Sequence, residues 1–305
     1  MKLADLTPAA IIKLAGGPGL RYRTGPFSVR LQSDIPEFLK TVAVFYAAAE
    51  LLTDDDTSHF HVSVHRVGGL RRWFRPQVQF TVDGLQPFDP YPVDHAFPMY
   101  EWGLNWCIGT TAQHNLMLHS AVVEKEGRGI IMPATPGSGK STLCAGLVGR
   151  GWRLLSDEFG IVRHCDGMVL PLPRAAPLKN ESIDIIRHFA PRISLGPRFE
   201  KTRKGTVAHM APPADSLLRQ TEAVNPRWVV FPSYQAGAAT ALREQPRAMA
   251  LTRLVNNSFN YPVTMDAGFR TLISLVRRVN CYELVNGDLE AAVAVIEELL
   301  EGDME

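Results

Sequence analysis

The chain has 305 residues, enough for one large or two medium domains. Hydrophobic residues make up 46% and charged residues 21%, the balance of an ordinary folded chain and not of a disordered or fibrous one. The 32 lysines and arginines nearly cancel the 31 aspartates and glutamates, and the net charge of +1 leaves no global field to draw in nucleic acid or an anionic membrane. Neither is expected as a partner. The four cysteines, Cys107, Cys144, Cys165 and Cys281, are scattered without metal-ligand spacing and read as reduced thiols. There is no apolar leader segment near Asp5 and no apolar run of membrane-spanning length. A cytoplasmic protein is expected.

Thr7 and Pro8 start a short helix that Gly16 ends. Phe27 to Leu31 alternates as a strand, and Ile35 to Leu52 has helical apolar spacing. Asp54, Asp55 and Asp56 read as a solvated loop. From His59 to His65 the alternation is strict: Phe60, Val62 and Val64 face a core, and His59, His61 and His65 face away. Three imidazoles on one strand face could bind zinc, but no carboxylate or cysteine stands at a helpful spacing, and a solvated face is the plainer reading. Gln77 to Val82 is the partner strand, closed by the turn at Asp83 and Gly84. Between the two strands lies Arg71-Arg72-Trp73-Phe74-Arg75, which suits either an anionic partner or a surface hairpin with a packed tryptophan.

The proline-dense stretch from Pro87 to Pro98 is expected to be extended. It separates a small N-terminal α/β domain, residues 1–97, from a main domain, residues 98–305. Met99 to Thr111 reads as a linking helix, Leu116 to Val123 as a buried strand, Lys125 to Arg128 as a turn, and Gly129 to Met132 as a second strand. A glycine-rich segment follows, and then a helix to Arg150 capped by Gly151. Trp152 to Ser156 is apolar and ends in paired carboxylates, Asp157 and Glu158. Phe159 to Arg163 and Met168 to Leu170 form a hairpin, which argues for a mixed sheet. Pro171 to Glu181 and Phe199 to His209 read as irregular, the second as a basic loop. Lys179 and Lys204 are candidate cations for a phosphate site, whereas His209 reads as structural. Arg227 to Phe231 is another strand, and Asn256 to Pro262 is a polar turn with no assigned role. Asp266 is expected to cap a helix, and a last helix starts near Asp288.

The chemistry concentrates in Ala134-Thr135-Pro136-Gly137-Ser138-Gly139-Lys140-Ser141-Thr142. Strand, glycine-rich turn and helix are the context in which this pattern grips phosphate. Gly137 and Gly139 let the backbone curl so that its N–H groups face inward, next to the positive end of the helix. Thr135 to Thr142 would cradle the phosphates, with Lys140 on the β- and γ-phosphates and the Ser141 hydroxyl on Mg²⁺. A strand-end carboxylate such as Asp157 or Glu158 holds Mg²⁺ or orients the attacking group.

His119-Ser-Ala-Val-Val, the loop from Ala134 to Thr142, and Arg150-Gly-Trp-Arg-Leu-Leu-Ser-Asp157-Glu158 together resemble the catalytic core of the HPr kinase/phosphorylase family. The order and the spacing both agree. The likeness is to the HPr kinase-related group, in which the acidic pair can be Asp-Glu, and it extends through Arg174, Lys179 and Lys204 to His209. It does not cover the N-terminal unit. The resemblance implies a phosphate-loop kinase core akin to that of phosphoenolpyruvate carboxykinase. It also implies transfer of a phosphoryl group from ATP, with Mg²⁺, to a serine hydroxyl. Carried over by position, Lys140 and Ser141 contact phosphate and metal. Asp157 accepts the proton of the attacking hydroxyl, Glu158 lies on the metal side, and His119 lies near the transferred phosphate. Two departures are that Ala134 replaces a glycine and that the Leu-Glu-Ile-Arg-Gly signature is missing. The resemblance therefore does not carry over HPr as acceptor or the phosphorylase activity.

The expected function is an ATP-dependent kinase acting on a hydroxyl of a peptide, small protein or small molecule, with a homo-oligomer possible. The alternative is a regulatory module whose slow ATP hydrolysis switches a partner. A carboxykinase acting on a small acid lacks the histidine and lysine constellation that such chemistry needs.

Overall fold

Alternating buried and exposed side chains build the first sheet. The computed structural model describes residues 1–53, 55–69 and 74–302. Strands β1 (Leu20–Thr24), β2 (Phe27–Ser33), β3 (Phe60–Arg66), β4 (Gln77–Val82) and β5 (Tyr91–Pro92) lie side by side in that order. β2 and β3 are parallel and the other pairs antiparallel. A parallel pair needs a crossover, and α2 (Pro36–Phe45) lies in it. α1 (Pro8–Gly16) starts as its sequence requires, with the Thr7 hydroxyl accepting the Ala10 N–H at 3.2 Å. Phe60, Val62 and Val64 are buried, and His59, His61 and His65 are exposed. Among the described residues no group of three or more His, Cys, Asp or Glu is placed to hold a metal.

The helix expected over 35–52 ends early, at Phe45. Beyond it the backbone pairs with distant chain: Leu51 N–H donates to the Met1 carbonyl and Leu52 N–H to that of Arg21. These long-range bonds outweigh helix propensity, which is a weak force. β1 itself was not anticipated. Asp54, Arg71, Arg72 and Trp73 lie outside the described residues, so the basic stretch 71–75 has only its end, Phe74 and Arg75, within them.

The second half of the chain forms a mixed sheet of eight strands among the described residues. In chain order its elements are α3 (Ala96–Thr111), β6 (Leu116–Lys125), β7 (Arg128–Pro133), α4 (Lys140–Gly149), β8 (Arg153–Ser156), β9 (Phe159–Val162), β10 (Val169–Leu170), β11 (Ala176–Lys179), α5 (Glu181–Phe189), β12 (Phe199–Thr202), β13 (Gly205–Met210), α6 (Ala214–Leu218), β14 (Asn225–Tyr234), β15 (Ala241–Glu244), α7 (Arg247–Asn256), α8 (Tyr261–Arg278), β16 (Asn280–Asn286) and α9 (Leu289–Glu301). The sheet order is β10-β9-β6-β7-β14-β16-β15, with β8 also paired to β6. β7, β14 and β16 run parallel to one another, and β6 pairs antiparallel with β7, β8 and β9. One face buries α4, α5 and α9, and the other buries α7 and α8. The expected α/β class with a mixed sheet is what the chain adopts.

Several expectations are corrected. Residues 176–179 and 199–210 are not irregular: β11, β13 and β12 form a small antiparallel sheet, and Lys204 sits in a hairpin turn. Buried Ala176, Leu178, Ala208 and Met210 join the core under α4 and α5, a burial the intervening charges and prolines conceal. α8 begins at Tyr261, ahead of Asp266, and is broken at Met265 (φ 40°, ψ −111°). Asp266 pairs with Arg270 at 2.8 Å instead of capping the helix. β15, β16 and α7 were not anticipated.

The core of the first sheet continues into the rest of the chain through α3, Met117, Phe159, Ile161 and Leu172. A buried polar group lies within this continuity. Arg174 donates to Glu101 Oε2 at 2.8 Å and to Asn105 Oδ1 at 2.6 Å, and the Tyr46 hydroxyl donates to Glu101 Oε1 at 2.7 Å. Burial pushes the Glu101 carboxyl up, against Arg174, which pulls it down. Among the described residues no helix is long and apolar enough to cross a membrane.

Removing one partner of this pair strands the other in the core. Arg174→Met should cost about 3–5 kcal/mol, and Glu101→Leu combined with Arg174→Met should recover most of that loss. Denaturant unfolding of the two variants against the parent chain tests both expectations.

Candidate active site

The glycine-rich segment leaves the sheet at the carboxyl end of β7 and enters α4 at Lys140. Gly137 (φ 90°) and Gly139 (φ 82°) both take left-handed conformations that side chains disfavour. At Gly139 the space is also tight, since a Cβ would lie 3.0 Å from Cβ of Tyr234. Ser138 N–H donates to Thr135 O at 3.3 Å, and Ser138 O accepts from Tyr234 N–H at 3.0 Å. These bonds tie the loop to the end of β14. The first α4 N–H with an intrahelical acceptor is that of Leu143, which bonds Gly139 O. The N–H groups of Lys140, Ser141 and Thr142 thus remain for a ligand at the positive end of the helix. Thr135, Pro136 and Gly137 are exposed, Ser138, Gly139, Ser141 and Thr142 half-buried, and Lys140 buried. Ala134 is buried and donates its N–H to His119 O at 3.4 Å.

The carboxylates arrive from the other side of β6. β8 ends at Ser156, whose hydroxyl accepts the N–H groups of Glu158 (3.3 Å) and Phe159 (3.0 Å) and so shapes the turn. Lys140 Nζ donates to the backbone carbonyl of Asp157 and lies 3.3 Å from its Oδ1. Both side chains are buried, at 8% and 2% exposure. The Ser141 hydroxyl also helps hold the Asp157 carboxyl down. Glu158 Oε2 lies 3.6 Å from His119 Nε2 on β6.

Burial sets these two acids apart. It pushes the Asp157 carboxyl up, with Glu158 adding to the rise and Lys140 opposing it. Glu158 feels the same desolvation, but the imidazole of His119 beside it and the charge of Lys140 outweigh it and hold its pKa at about 2. Burial would lower Lys140, yet Asp157 and Glu158 keep it raised and charged. Adjacent acids with separated proton affinities are the pattern of an acid/base pair.

Two more cations approach from the small sheet. Lys204 helps lower Glu158 through its charge. Lys179, at the end of β11, is itself lowered, first by burial and then by Lys204. The two strands are joined there by Asn180, which takes a left-handed φ of 51° and exchanges bonds with Thr206: N–H to O at 2.9 Å, and Thr206 N–H to Oδ1 at 3.1 Å. His209 is buried against Phe45, Phe97 and Phe199, and burial holds its imidazole down to about 3, as befits a core residue.

The donor set also suits a hard cation. Asp157 Oδ2 is buried without a hydrogen-bond partner, and the Ser141 hydroxyl and the Glu158 carboxylate add further oxygens. Mg²⁺ typically takes one or two carboxylates, keeps several waters and uses substrate phosphates. These residues fit it.

The structure thus brings His119, Lys140, Ser141, Asp157 and Glu158 together, with Lys179 and Lys204 close enough for their charges to be felt. It also adds residues that sequence reasoning passed over. The polar turn 257–260 lies against β6: Asn257 O accepts His119 N–H at 2.6 Å, and Asn260 bonds Met117 N–H and Asn115 O through its side chain. The Phe259 ring stands 5.3 Å from the imidazole of His119. A run of asparagine and serine without apolar period marks a segment whose side chains bond backbone, and that was the available signal.

Two outcomes follow from this geometry. Gly139→Ala should destabilise the fold more than Gly137→Ala, because both bear the left-handed cost of about 1–2 kcal/mol but only Gly139 also meets Tyr234. Thermal melts of the two variants decide. Glu158 is lowered from 4.5 to about 2 in the fold, so its carboxylate stabilises above pH 4.5 and loses that contribution as the pH falls towards 2. The stability gap between the parent chain and Glu158→Gln should therefore narrow across this window, as melts at stepped pH would record. A scan of the chain against models of protein families gives no match, and neither does a search of curated proteins, so the chemistry of the site rests on its own residues.

Proposed function

We propose that the chain is an ATP-dependent kinase that transfers the γ-phosphate to a hydroxyl of a peptide, small protein or small molecule. Its likeness to the HPr kinase family points to a serine hydroxyl. In this reading residues 98–305 are a phosphate-loop catalytic domain of the HPr kinase and phosphoenolpyruvate carboxykinase type, and residues 1–97 are a small N-terminal domain. The observation that carries the reading is the buried contact of Lys140 with Asp157, next to a second carboxylate of opposite proton affinity. A glycine-rich turn alone needs no such partner.

Phosphoryl transfer asks for position and charge neutralisation more than for covalent chemistry. The N–H groups at the start of α4 hold the β- and γ-phosphates. Lys140 exchanges its bond to Asp157 for one to phosphate, and that exchange frees the carboxylate. Asp157, kept basic by burial, accepts the proton of the acceptor hydroxyl as its oxygen bonds the γ-phosphorus and the bond to ADP breaks. Glu158 and Ser141 would hold Mg²⁺, which when bound neutralises charge on the phosphates. His119 fixes the Glu158 carboxylate through its Nε2. Lys204 supplies positive charge from the hairpin.

Asp157→Asn should keep its affinity for ATP while losing transfer by at least about 100-fold, the lower range for a general base. Calorimetry with ATP and Mg²⁺ measures the first. ATP labelled on its γ-phosphate, incubated with the protein and cell extract, measures the second. Label on a discrete acceptor supports the kinase, whereas label found only in free phosphate favours the regulatory ATPase. Normal transfer by Asp157→Asn would remove Asp157 as the base.

A further inference from the structure

A second concave site lies where the N-terminal sheet meets the β12–β13 hairpin. Phe88 stacks on Trp102, with 4.9 Å between ring centroids and 18° between planes. Tyr91 meets Trp102 edge-on at 6.2 Å. Arg203, in the hairpin turn, holds its guanidinium 5.6 Å from the centre of the Tyr91 ring and 5.8 Å from that of Trp102. With Asp89 these residues line a cavity of about 420 Å³, within the range of small-molecule sites.

The wall is preformed. Gln79 Nε2 donates to the carbonyls of Phe80 (3.0 Å) and Phe88 (2.7 Å), which ties the aromatic loop to β4. Pro87 and Pro90 restrict the backbone on either side of Phe88 and Asp89.

Two charges on this wall have no ion-pair partner among the described residues. Among the described residues Arg203 has no carboxylate partner and Asp89 no basic one, and they do not pair with each other. A simple anion would meet Asp89, and a simple cation would meet Arg203. A flat apolar body bearing both charges satisfies the cavity, and the mismatched charge disfavours the others. We propose that this cavity binds a free aromatic amino acid, with its carboxylate on Arg203, its ammonium on Asp89 and its ring against the aromatic wall. Lys204 follows Arg203 directly, so a ligand held here sits one residue from the cation whose charge reaches Glu158.

Calorimetric titration of the full chain with L-phenylalanine tests this without reference to ATP. One site is expected. Phenethylamine and 3-phenylpropionate, each lacking one charge, should bind about fivefold more weakly, the upper range for an exposed ion pair. The variants should mirror the ligands: Arg203→Gln should weaken phenylalanine about fivefold without weakening phenethylamine, and Asp89→Asn should weaken phenylalanine about fivefold without weakening 3-phenylpropionate. N-acetyl-phenylalanine amide, which lacks both charges, should bind more weakly than either singly charged ligand, which separates a free amino acid from an internal peptide residue. Absence of phenylalanine binding at millimolar concentration, equal binding of leucine, or variants indistinguishable from the parent chain would each overturn the proposal. ATP titrations of the same samples judge the phosphoryl-transfer reading separately.

Discussion

The contact between Lys140 and Asp157 organises the second half of the chain. It joins the first residue of α4 to the turn after β8, and it does so out of water, with both side chains under a tenth exposed. A buried ammonium and a buried carboxylate are costly apart and tolerable together. The pairing therefore fixes where the glycine-rich loop ends relative to the acidic turn. Ser141, one residue on, lowers the same carboxyl. Ser156 holds the turn from beneath through two backbone N–H groups. Each of these bonds constrains the others.

Around that contact the strands do the positioning. Antiparallel β6 sets His119 opposite Phe159 and next to the start of the loop, so imidazole, loop and carboxylates share one end of the sheet. Parallel β14 brings Tyr234 onto Gly139 from the other flank. The switch from parallel to antiparallel neighbours occurs at β7, the strand that feeds the loop. Ligands in α/β sheets gather at the carboxyl ends of strands where topology changes, and this sheet offers such a place.

Much of this was legible in the chain itself, and the parts that were not share a cause. The loop, its flanking strand and helix, the paired acids and the mixed sheet show in local pattern: glycine spacing, an apolar run, a turn at Asp166 and Gly167. What stayed hidden depends on distant partners. Helix α2 stops at Phe45 because residues 49–52 pair with the chain's first residues and with β1, and no local signal marks that. The strands β11 and β13 carry prolines and charges that read as loop, yet their alternate residues fill the space under α4. The turn 257–260 bonds β6 across more than half the sequence that separates the loop from the C-terminus, so its polarity was visible but its address was not.

The crowding of Lys179 and Lys204 has a thermodynamic corollary. Lys179 holds its proton less firmly than a free lysine because it is desolvated and faces a second ammonium. A polyanion arriving at them would outweigh the repulsion with opposite charge and restore that grip. Ligand capture and protonation are then linked equilibria, and near the lysine's own transition each anion bound draws a fraction of a proton from solution. The apparent heat of capture would vary with the ionisation enthalpy of the buffer, a signature that belongs to this pair of side chains and not to the glycine loop.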